Sequence, residues 1–252
     1  MITQRELKYY SSLIVKKHRV QEQKFIVEGL KIVEEGLESN FFCEAIFVTP
    51  LFINSFPQFI NQIKKNTSRI IQLKSAEFQR ISDTRSPQGI AAVFNKSVAK
   101  KKLDERKDNS LVFLDNISDP GNLGTILRTC DWFGINAILI SNQSVEYLNP
   151  KVIRSSMGSI FHLDIYEDIN FEELKNLKKK GYKIICTDLE GNDYKKFKIQ
   201  DNFIITFSNE SSGPSEFIKE LATDFITIPK KGKAESLNVS SAAAIILSEI
   251  TN

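Results

Sequence analysis

Cysteine and histidine are scarce in this chain of 252 residues, which has 3 Cys and 2 His. Cys43, Cys130 and Cys186 are odd in number, widely separated and not arranged as CxxC. This pattern argues against a disulfide framework and a zinc site, so we expect no bound metal. No apolar run is long enough to cross a membrane, and the first residues lack the hydrophobic stretch of a secretory signal. We therefore expect a soluble protein of a reducing compartment, the cytoplasm.

Several common cofactor and catalytic motifs are also missing. The chain has no GxGxxG and no GxxxxGK[ST], so dinucleotide and nucleoside-triphosphate sites lose their main support. It has no GxSxG elbow, which weakens a Ser/His/Asp hydrolase interpretation. Gly121-Asn122-Leu123-Gly124 matches the GxxG loop of a KH RNA-binding module. However, it follows a predicted strand and a proline, whereas a KH loop joins two helices.

Positive charge is concentrated in the first part of the chain, although the net charge is only +3. Residues 1–94 contain 13 Lys/Arg and 9 Asp/Glu, residues 95–107 contain 6 and 2, and residues 108–252 contain 15 and 20. If the partner is a polyanion such as nucleic acid, residues 1–107 are expected to hold it. The alternative is that these charges are only a solvated surface.

Alternating helix and strand patterns predict two α/β domains, 1–94 and 110–252, joined by a Lys-rich linker, 95–109. In the first domain the patterns predict helices at 4–17, 30–37, 54–64 and 75–81, and strands at 25–27, 45–48, 70–73 and 89–94. In the second they predict strands at 111–114, 137–140, 161–166, 183–186, 203–207 and 225–228. Helices are predicted at 125–133, at 171–180, after Pro214 and at the end of the chain. Strands separated by helices indicate a mostly parallel sheet covered on both faces.

The last part of the chain contains a strand, a basic loop and a helix. Residues 225–228 are β-branched or aromatic, and the loop 230–235 is rich in lysine. From Val239 onward, apolar residues recur at i, i+3, i+4 and i+7, which predicts a helix with Ser236 and Asn238 as candidate N-caps. Such a unit can cradle a small molecule. An ordinary strand and helix packed on a sheet would have the same spacing.

Two further loops follow predicted parallel strands, where ligands commonly bind. The loop 115–128 leads to Arg128, which lies in an otherwise apolar helix and is suited to bind a phosphate or a carboxylate. The alternative for Arg128 is a structural ion pair. The loop 207–215 offers many backbone amides and the carboxylate of Glu210, although alone it would be a plain turn.

With these three loops in place, the sequence closely resembles the SpoU (TrmH-like) branch of the SPOUT RNA methyltransferases. Three motifs match in order: Asn122-x-Gly124-x-x-x-Arg128, Phe207-Ser208-Asn209-Glu210-x-x-Gly213, and Ile228-Pro229 through Ser236-Leu237-Asn238-Val239. The segment 149–158 is similar to the family's stretch between the first two motifs. Residues 25–29 (FIVEG) and 86–90 (SPQGI) resemble the L30e-like substrate-binding domain of members that act on ribosomal RNA. The resemblance therefore covers nearly the whole chain.

The resemblance implies a fold, a cofactor and a reaction. The fold would be a parallel sheet with a trefoil knot, dimerising through the knotted domain, beside a small L30e-like domain. The reaction would transfer a methyl group from S-adenosylmethionine to a ribose 2′-hydroxyl of RNA, of the 23S ribosomal type. The alternatives are a transfer-RNA 2′-O-methyltransferase of the same fold and a non-catalytic RNA-binding or ribosome-assembly protein. The sequence does not specify the target nucleotide.

The resemblance also implies roles for individual residues. Arg128 would be the catalytic arginine, and Asn122, Glu210 and Asn238, with Ser236, would orient it or the substrate. Because arginine stays protonated, we expect Arg128 to stabilise the developing alkoxide while Glu210 or a substrate phosphate accepts the proton. The residues at cofactor-contact positions are Thr187, Ser208, Asn209, Glu210, Gly213, Ile228, Pro229, Ser236, Leu237 and Asn238. Ser208 replaces the glycine common in the family, which a contact through the backbone tolerates.

Basic residues are expected to hold the RNA through its phosphates, so that RNA affinity should fall steeply with salt. The residues expected to make these contacts are Lys16, Lys17, His18, Arg19, Lys24, Lys100, Lys101, Lys102 and Arg154.

Overall fold

The structure is a computed structural model that describes residues 2–66, 69–96, 103, 110–198 and 202–251, with the side chains of residues 65 and 66 left out. The chain divides into two compact units. The first contains Met1–Lys100 and Leu148–Phe161, and the second contains Lys101–Tyr147 and His162–Asn252. Over the described ranges, no helix is long and apolar enough to span a membrane.

The first unit is built on a four-stranded mixed sheet of order β1-β4-β2-β3. The strand β4 runs antiparallel to both β1 and β2, and β3 is parallel to β2. The strands are β1 (Lys24–Glu28), β2 (Cys43–Val48), β3 (Ile70–Gln72) and β4 (Ile90–Asn95). Their apolar residues are almost fully buried, so a short sheet still provides a core for this unit.

Two of the four helices predicted in residues 2–96 are each divided into two shorter helices. They are α1 (Gln4–Ser12), α2 (Lys16–Glu22), α3 (Leu30–Glu38), α4 (Pro50–Ser55), α5 (Pro57–Asn66) and α6 (Ser75–Ile81). The predicted helix 4–17 breaks at Leu13, where a turn leads into α2. The predicted helix 54–64 is wrong at its start, because Pro57 ends α4 and begins α5.

The second unit has a six-stranded sheet of order β10-β8-β9-β5-β6-β7, and every pairing in it is parallel. This confirms the predicted parallel α/β fold. The strands are β5 (Ser110–Asp115), β6 (Ala137–Ser141), β7 (Asp164–Ile169), β8 (Lys183–Asp193), β9 (Phe203–Ser208) and β10 (Asp224–Thr227). The helices of residues 110–251 are α7 (Pro120–Trp132), α8 (Pro150–Ser156), α9 (Phe171–Lys179), α10 (Glu216–Leu221) and α11 (Val239–Ile250).

The strand β8 is longer than predicted and bulges where it leaves the ladder. Phe225 pairs with Cys186, but the next residue, Ile226, pairs with Asn192. Residues 187–191 therefore stand out from the sheet. Gly191 returns the strand to β10 so closely that an added Cβ would lie 2.8 Å from the carbonyl carbon of Phe225.

The segment 148–161, which the sequence places in the C-terminal domain, packs with the N-terminal residues. The ring of Phe161 lies 5.3 Å from Phe94, 5.4 Å from Phe41 and 6.2 Å from Phe25, measured between centroids. The predicted strand 161–166 begins only at Asp164, and α8 was not predicted. Aromatic packing that joins residues so far apart in sequence leaves no local pattern.

Candidate active site

A cavity of about 520 Å³ opens where β9 and β10 end and β8 leaves the ladder. Its walls are residues 187–189, 207–214, 226–232 and 234–237, with Val239, Ala242 and Ile246 of α11. The carboxyl edge of a parallel sheet is the usual place for a ligand. Nine residues predicted to contact a cofactor line this cavity: Thr187, Ser208, Asn209, Glu210, Gly213, Ile228, Pro229, Ser236 and Leu237. The tenth, Asn238, does not line the cavity, and its side-chain amide donates to Asn122 and Glu210.

Asp115 holds both ends of the loop 208–215. It ends β5 and is fully buried. Its Oδ2 accepts hydrogen bonds from the Ser215 amide at 2.8 Å and the Ser208 hydroxyl at 3.3 Å, and its carbonyl accepts from the Asn209 amide at 3.2 Å. The Ser208 hydroxyl therefore bonds to the buried Asp115, which fits a backbone role for this residue at the cavity. No pattern in the sequence pointed to this role of Asp115.

Asn209 shapes the loop between these two ends. Its Oδ1 accepts from the Ser211 amide at 2.9 Å, and its carbonyl accepts from the Gly213 amide at 2.9 Å. Gly213 has a φ of +66°, a left-handed conformation that favours glycine. The Asn209 Nδ2 donates to the Ser118 hydroxyl at 3.0 Å, so the loop also bonds to the segment before α7.

Glu210, of the second motif, bonds to residues of the first and third motifs. The Oε1 of Glu210 accepts hydrogen bonds from the Asn122 Nδ2 at 2.7 Å, the Asn238 Nδ2 at 3.3 Å and the Val239 amide at 3.2 Å. The Asn238 Nδ2 also donates to the Asn122 Oδ1 at 3.0 Å. One carboxylate thus joins the starts of α7 and α11 at the edge of the cavity.

The starts of these two helices differ partly from expectation. The helix α7 begins at Pro120, before the predicted start at 125, and is capped by Asp119, whose side chain accepts from the Asn122 amide at 2.8 Å. Asn238 caps α11 as predicted, accepting from the Ser240 amide at 2.9 Å, whereas Ser236 lies outside the helix. The capping interactions leave the side-chain amides of Asn122 and Asn238 directed to Glu210.

Arg128 is separate from this network. It is exposed on α7, and within the described ranges its guanidinium has no hydrogen bond or ion pair. The alternative of a structural ion pair therefore finds no support. In the described structure the side chains of Asn122, Glu210 and Asn238 bond to one another and not to Arg128, so their expected role in orienting Arg128 or the substrate stays a prediction.

The bulge of β8 adds two cavity residues that were not predicted from the sequence. Asp188 and Leu189 line the cavity, and Leu189 is 68% exposed. The Thr187 hydroxyl donates to the Thr206 carbonyl at 2.7 Å, which fixes the start of the bulge. Their only sequence signal is a strand pattern that ends early, before polar residues and Gly191.

The basic residues predicted to hold RNA occupy several environments. Lys16 and Lys17 are exposed, and His18 is half-buried. Arg19 is 3% exposed and its guanidinium donates to the carbonyls of Leu13 and Ile14, so this side chain is structural and not a phosphate contact. Two others are already paired, Lys24 with Glu44 and Arg154 with Asp83 at 2.8 Å. Lys100, Lys101 and Lys102 lie outside the described residues.

Comparison with known proteins identifies the family. A family model described as the SpoU rRNA Methylase family matches residues 109–248, more than half of the chain. The chain belongs to this family. A second model, the MRM3-like substrate binding domain, matches residues 4–92. The match of both models confirms the resemblance inferred from the motifs.

Individual relatives match over nearly their full length. The chain is 30% identical over 246 residues, 96% of this chain and 94% of the relative, to the 23S rRNA (guanosine(2553)-2′-O)-methyltransferase RlmP of Bacillus subtilis. A TrmH-family structure from Porphyromonas gingivalis matches with a TM-score of 0.85 and 30% identity, covering 99% and 98% of the two chains. An AdoMet-bound rRNA methyltransferase from Sinorhizobium meliloti has the same fold, with a TM-score of 0.83, 24% identity and coverage of 99% and 95%.

Proposed function

We propose that this SpoU-family protein transfers a methyl group from S-adenosylmethionine to a ribose 2′-hydroxyl of ribosomal RNA. The observation that carries the proposal is the junction of Asn122, Glu210 and Asn238 beside the cavity, with Arg128, which has no partner among the described residues, further along α7. The RlmP relative is a 23S rRNA 2′-O-methyltransferase by name, which supports both the reaction and the RNA class.

The cavity suits S-adenosylmethionine in size and chemistry. Small-molecule sites commonly have volumes of about 300–1,000 Å³ with apolar walls and a few placed polar groups. Here Leu237, Ile226 and Ile246 provide apolar wall, and the loop 208–213 provides backbone polar groups. Asp188 adds a carboxylate that complements a cation. When bound, the cofactor supplies the methyl group on a cationic sulfur. The same fold holds AdoMet in the Sinorhizobium meliloti protein.

The residues divide between scaffold and chemistry. Glu210, with three donors on its Oε1, holds the motifs in register. Arg128 stays protonated, so it serves as a donor that stabilises the ribose oxygen as its proton leaves. The proton goes to the Oε2 of Glu210 or to a substrate phosphate. Positioning the hydroxyl in line with the methyl group supplies much of the acceleration.

Calorimetric titration with S-adenosylhomocysteine tests the cofactor site first. Wild-type protein should bind about one equivalent per chain. Leu237→Arg should abolish binding, because it places a long cationic side chain against the cavity wall. A folded wild-type protein that does not bind would contradict the methyltransferase and leave the non-catalytic RNA-binding alternative.

Turnover of Arg128→Lys tests the catalytic arginine. Lysine keeps the charge but loses the planar fork of donors, so we expect kcat to fall while cofactor affinity is kept. Full turnover in this variant would exclude a required guanidinium. Mapping methylated riboses after incubation with unmodified 23S rRNA or with transfer RNA decides between the two RNA classes.

We also propose the domain roles that the family implies. Residues 1–94 would bind RNA, 95–109 would be a linker and 110–252 would be the methyltransferase domain. The match of the substrate-binding model to residues 4–92 supports the first role. Because ribosomal RNA is the substrate, the protein would act in the cytoplasm, which cell fractionation tests.

A homodimer formed through the second unit is a further part of the proposal. Trp132, the one tryptophan of the chain, ends α7 and is 83% exposed, which is unusual for so large an apolar side chain. A second copy covering α7 would bury it. Light scattering should give twice the mass of the chain for the wild type and a lower mass for Trp132→Glu. A monomeric wild type at micromolar concentration would contradict the dimer.

A trefoil knot in the second unit is proposed from the family alone. The close approach at Gly191 and the small residues Ser240, Ser241 and Ala242 at the start of α11 are compatible with a threaded chain. Pulling the two termini apart in an optical trap measures the unfolded contour length. A knot shortens it, so the full length expected for 252 residues would contradict the knot.

A further inference from the structure

The hairpin of α1 and α2 carries four cations that have no partner within the part of the chain that the structure describes. Arg5, Lys8, Lys16 and Lys17 are all exposed. Of the acidic residues between 2 and 22, Glu6 bonds to Arg69 and Thr3, and Glu22 accepts from the Tyr9 hydroxyl at 3.1 Å. The surface of this hairpin therefore has an excess of available positive charge.

The turn between the two helices is fixed by a buried arginine. Arg19, on α2, donates through Nη1 to the Leu13 carbonyl at 2.9 Å and to the Ile14 carbonyl. Leu13 itself is completely buried. The guanidinium thus satisfies carbonyls at the end of α1 that the helix leaves free. As a result, Lys16 and Lys17, in the first turn of α2, are held at a set distance from α1.

The four cations form two pairs, one on each helix. Arg5 and Lys8 are three residues apart on α1 and so lie on one face. Lys16 and Lys17 follow after the turn, at the start of α2. Val15 and Val20 flank them and are each 54% exposed, which adds apolar surface suited to sugar rings. Exposed cations with limited apolar contact are suited to a sugar-phosphate backbone.

Several other basic groups of the same unit are already paired. Lys24 is paired with Glu44, Arg69 with Glu6, and Arg154 with Asp83. On α3, Lys31 pairs with Glu35, and Glu34 and Glu38 make that helix acidic. Phosphates are therefore favoured at the α1–α2 hairpin over these paired groups, and the hairpin differs from the exposed Lys64, Lys74 and Arg85 in carrying four such cations on two consecutive helices.

We propose that the α1–α2 hairpin is the phosphate-binding surface of the N-terminal unit, and that Arg5, Lys8, Lys16 and Lys17 contact the backbone of folded RNA. The inference rests on the proposed function, since it names where the RNA substrate is held. These contacts position RNA by shape and charge and carry no base readout. Arg19 positions the hairpin without touching RNA.

The test neutralises the four cations together as Arg5→Gln, Lys8→Gln, Lys16→Gln and Lys17→Gln in the full chain. Unmodified 23S rRNA is the probe, and its affinity is measured from about 50 to 200 mM salt. Each lost phosphate contact lowers the slope of log affinity against log salt by about 0.7–0.9, so a loss of roughly 3 is expected. Affinity near 150 mM salt should fall about tenfold or more.

A matched control makes the same charge change elsewhere, on the exposed residues Lys64, Lys179, Lys196 and Lys198, each changed to Gln. The control should keep the wild-type slope of log affinity against log salt. Equal losses of RNA affinity in both variants, or no loss in the hairpin variant, would overturn the assignment.

Titration with S-adenosylhomocysteine separates a failure of this assignment from a failure of the proposed function. If the wild type binds cofactor and RNA and the hairpin variant has the same RNA affinity and salt slope, only the assignment of the RNA-binding surface is wrong. If the wild type binds neither cofactor nor RNA, the proposed function has failed.

Discussion

Replacing Gly191 with alanine should strain the wall of the cavity directly. Gly191 closes the bulge 187–191 against β10, and its backbone φ is not in the left-handed region, so the effect is steric alone. An added Cβ would lie 2.8 Å from the Phe225 carbonyl carbon and 2.9 Å from the amide nitrogen of Ile226. These are backbone atoms of a paired strand, so rotation of a side chain cannot relieve the contact.

The size of the effect follows from the shift required. Ordinary contact begins at 3.4 Å, so two strands must separate by about 0.6 Å. Overpacking of this kind commonly costs about 1–3 kcal/mol. At roughly 2–4 °C per kcal/mol for a chain of this size, Tm should fall by several degrees. Ile226 and Thr227 line the cavity, so about 1 kcal/mol of strain there would raise the S-adenosylhomocysteine Kd roughly fivefold.

Calorimetry with and without S-adenosylhomocysteine provides the assay. The ligand raises the Tm of the unit that binds it, which identifies the transition to follow. Gly232→Ala is the matched control for stability, because a Cβ there meets nothing within 4 Å and the backbone φ is unstrained. Gly232 itself lines the cavity, so the Kd of Gly191→Ala is compared with that of the wild type. If Gly191→Ala has the Tm of Gly232→Ala and the Kd of the wild type, the strands separate without cost and the steric argument is refuted.

Three other predictions concern individual side chains. Glu210→Ala removes the acceptor of three donors; because Glu210 is exposed and water can replace it, the cost should be about 0.5–1.5 kcal/mol, with Glu210→Gln losing less. Denaturant unfolding decides, and equal losses would argue against an acceptor role. Phe161→Ala should destabilise the first unit by about 3–5 kcal/mol, seen in the unfolding transition whose Tm the ligand leaves unchanged. If the variant changed only the transition whose Tm the ligand raises, its packing on Phe25 and Phe94 would be contradicted. Burial raises the pKa of the Cys186 thiol to about 11, so only about 0.1% is thiolate at pH 8 and a thiol reagent should label it rapidly only after unfolding. Fast labelling of Cys186 in the folded protein would show that it is accessible.

The sequence predicted the elements whose determinants are local. Apolar runs such as 111–114 and 203–207 became the central strands of the parallel sheet, because a strand buried on both faces needs a continuous apolar run. Asn238 became a helix cap through a bond to an amide two residues away. Nine of the ten predicted cofactor residues line one cavity, because motifs at the carboxyl ends of neighbouring strands converge.

The failures concern contacts that no residue pattern along the chain reveals. Arg19 belongs to a basic run that reads as surface, yet its partners are carbonyls of the preceding turn, which no side-chain pattern reveals. Phe161 reads as the start of a strand but packs among the aromatic rings of the first unit. The role of Asp115 needs Ser215, a hundred residues later in the chain.

The separation of Arg128 from Glu210 bears on the mechanism. The side-chain amides of Asn122 and Asn238 donate to Glu210 and to the Asn122 Oδ1, and none of these side chains bonds to Arg128 in the described structure. An exposed arginine without a partner in the described chain has its donors available for an incoming anion. If Arg128 is the catalytic cation that we propose, the group that it acts on would order it. Arg128→Lys should then lower kcat without changing stability, because no contact in the described part of the chain depends on the guanidinium.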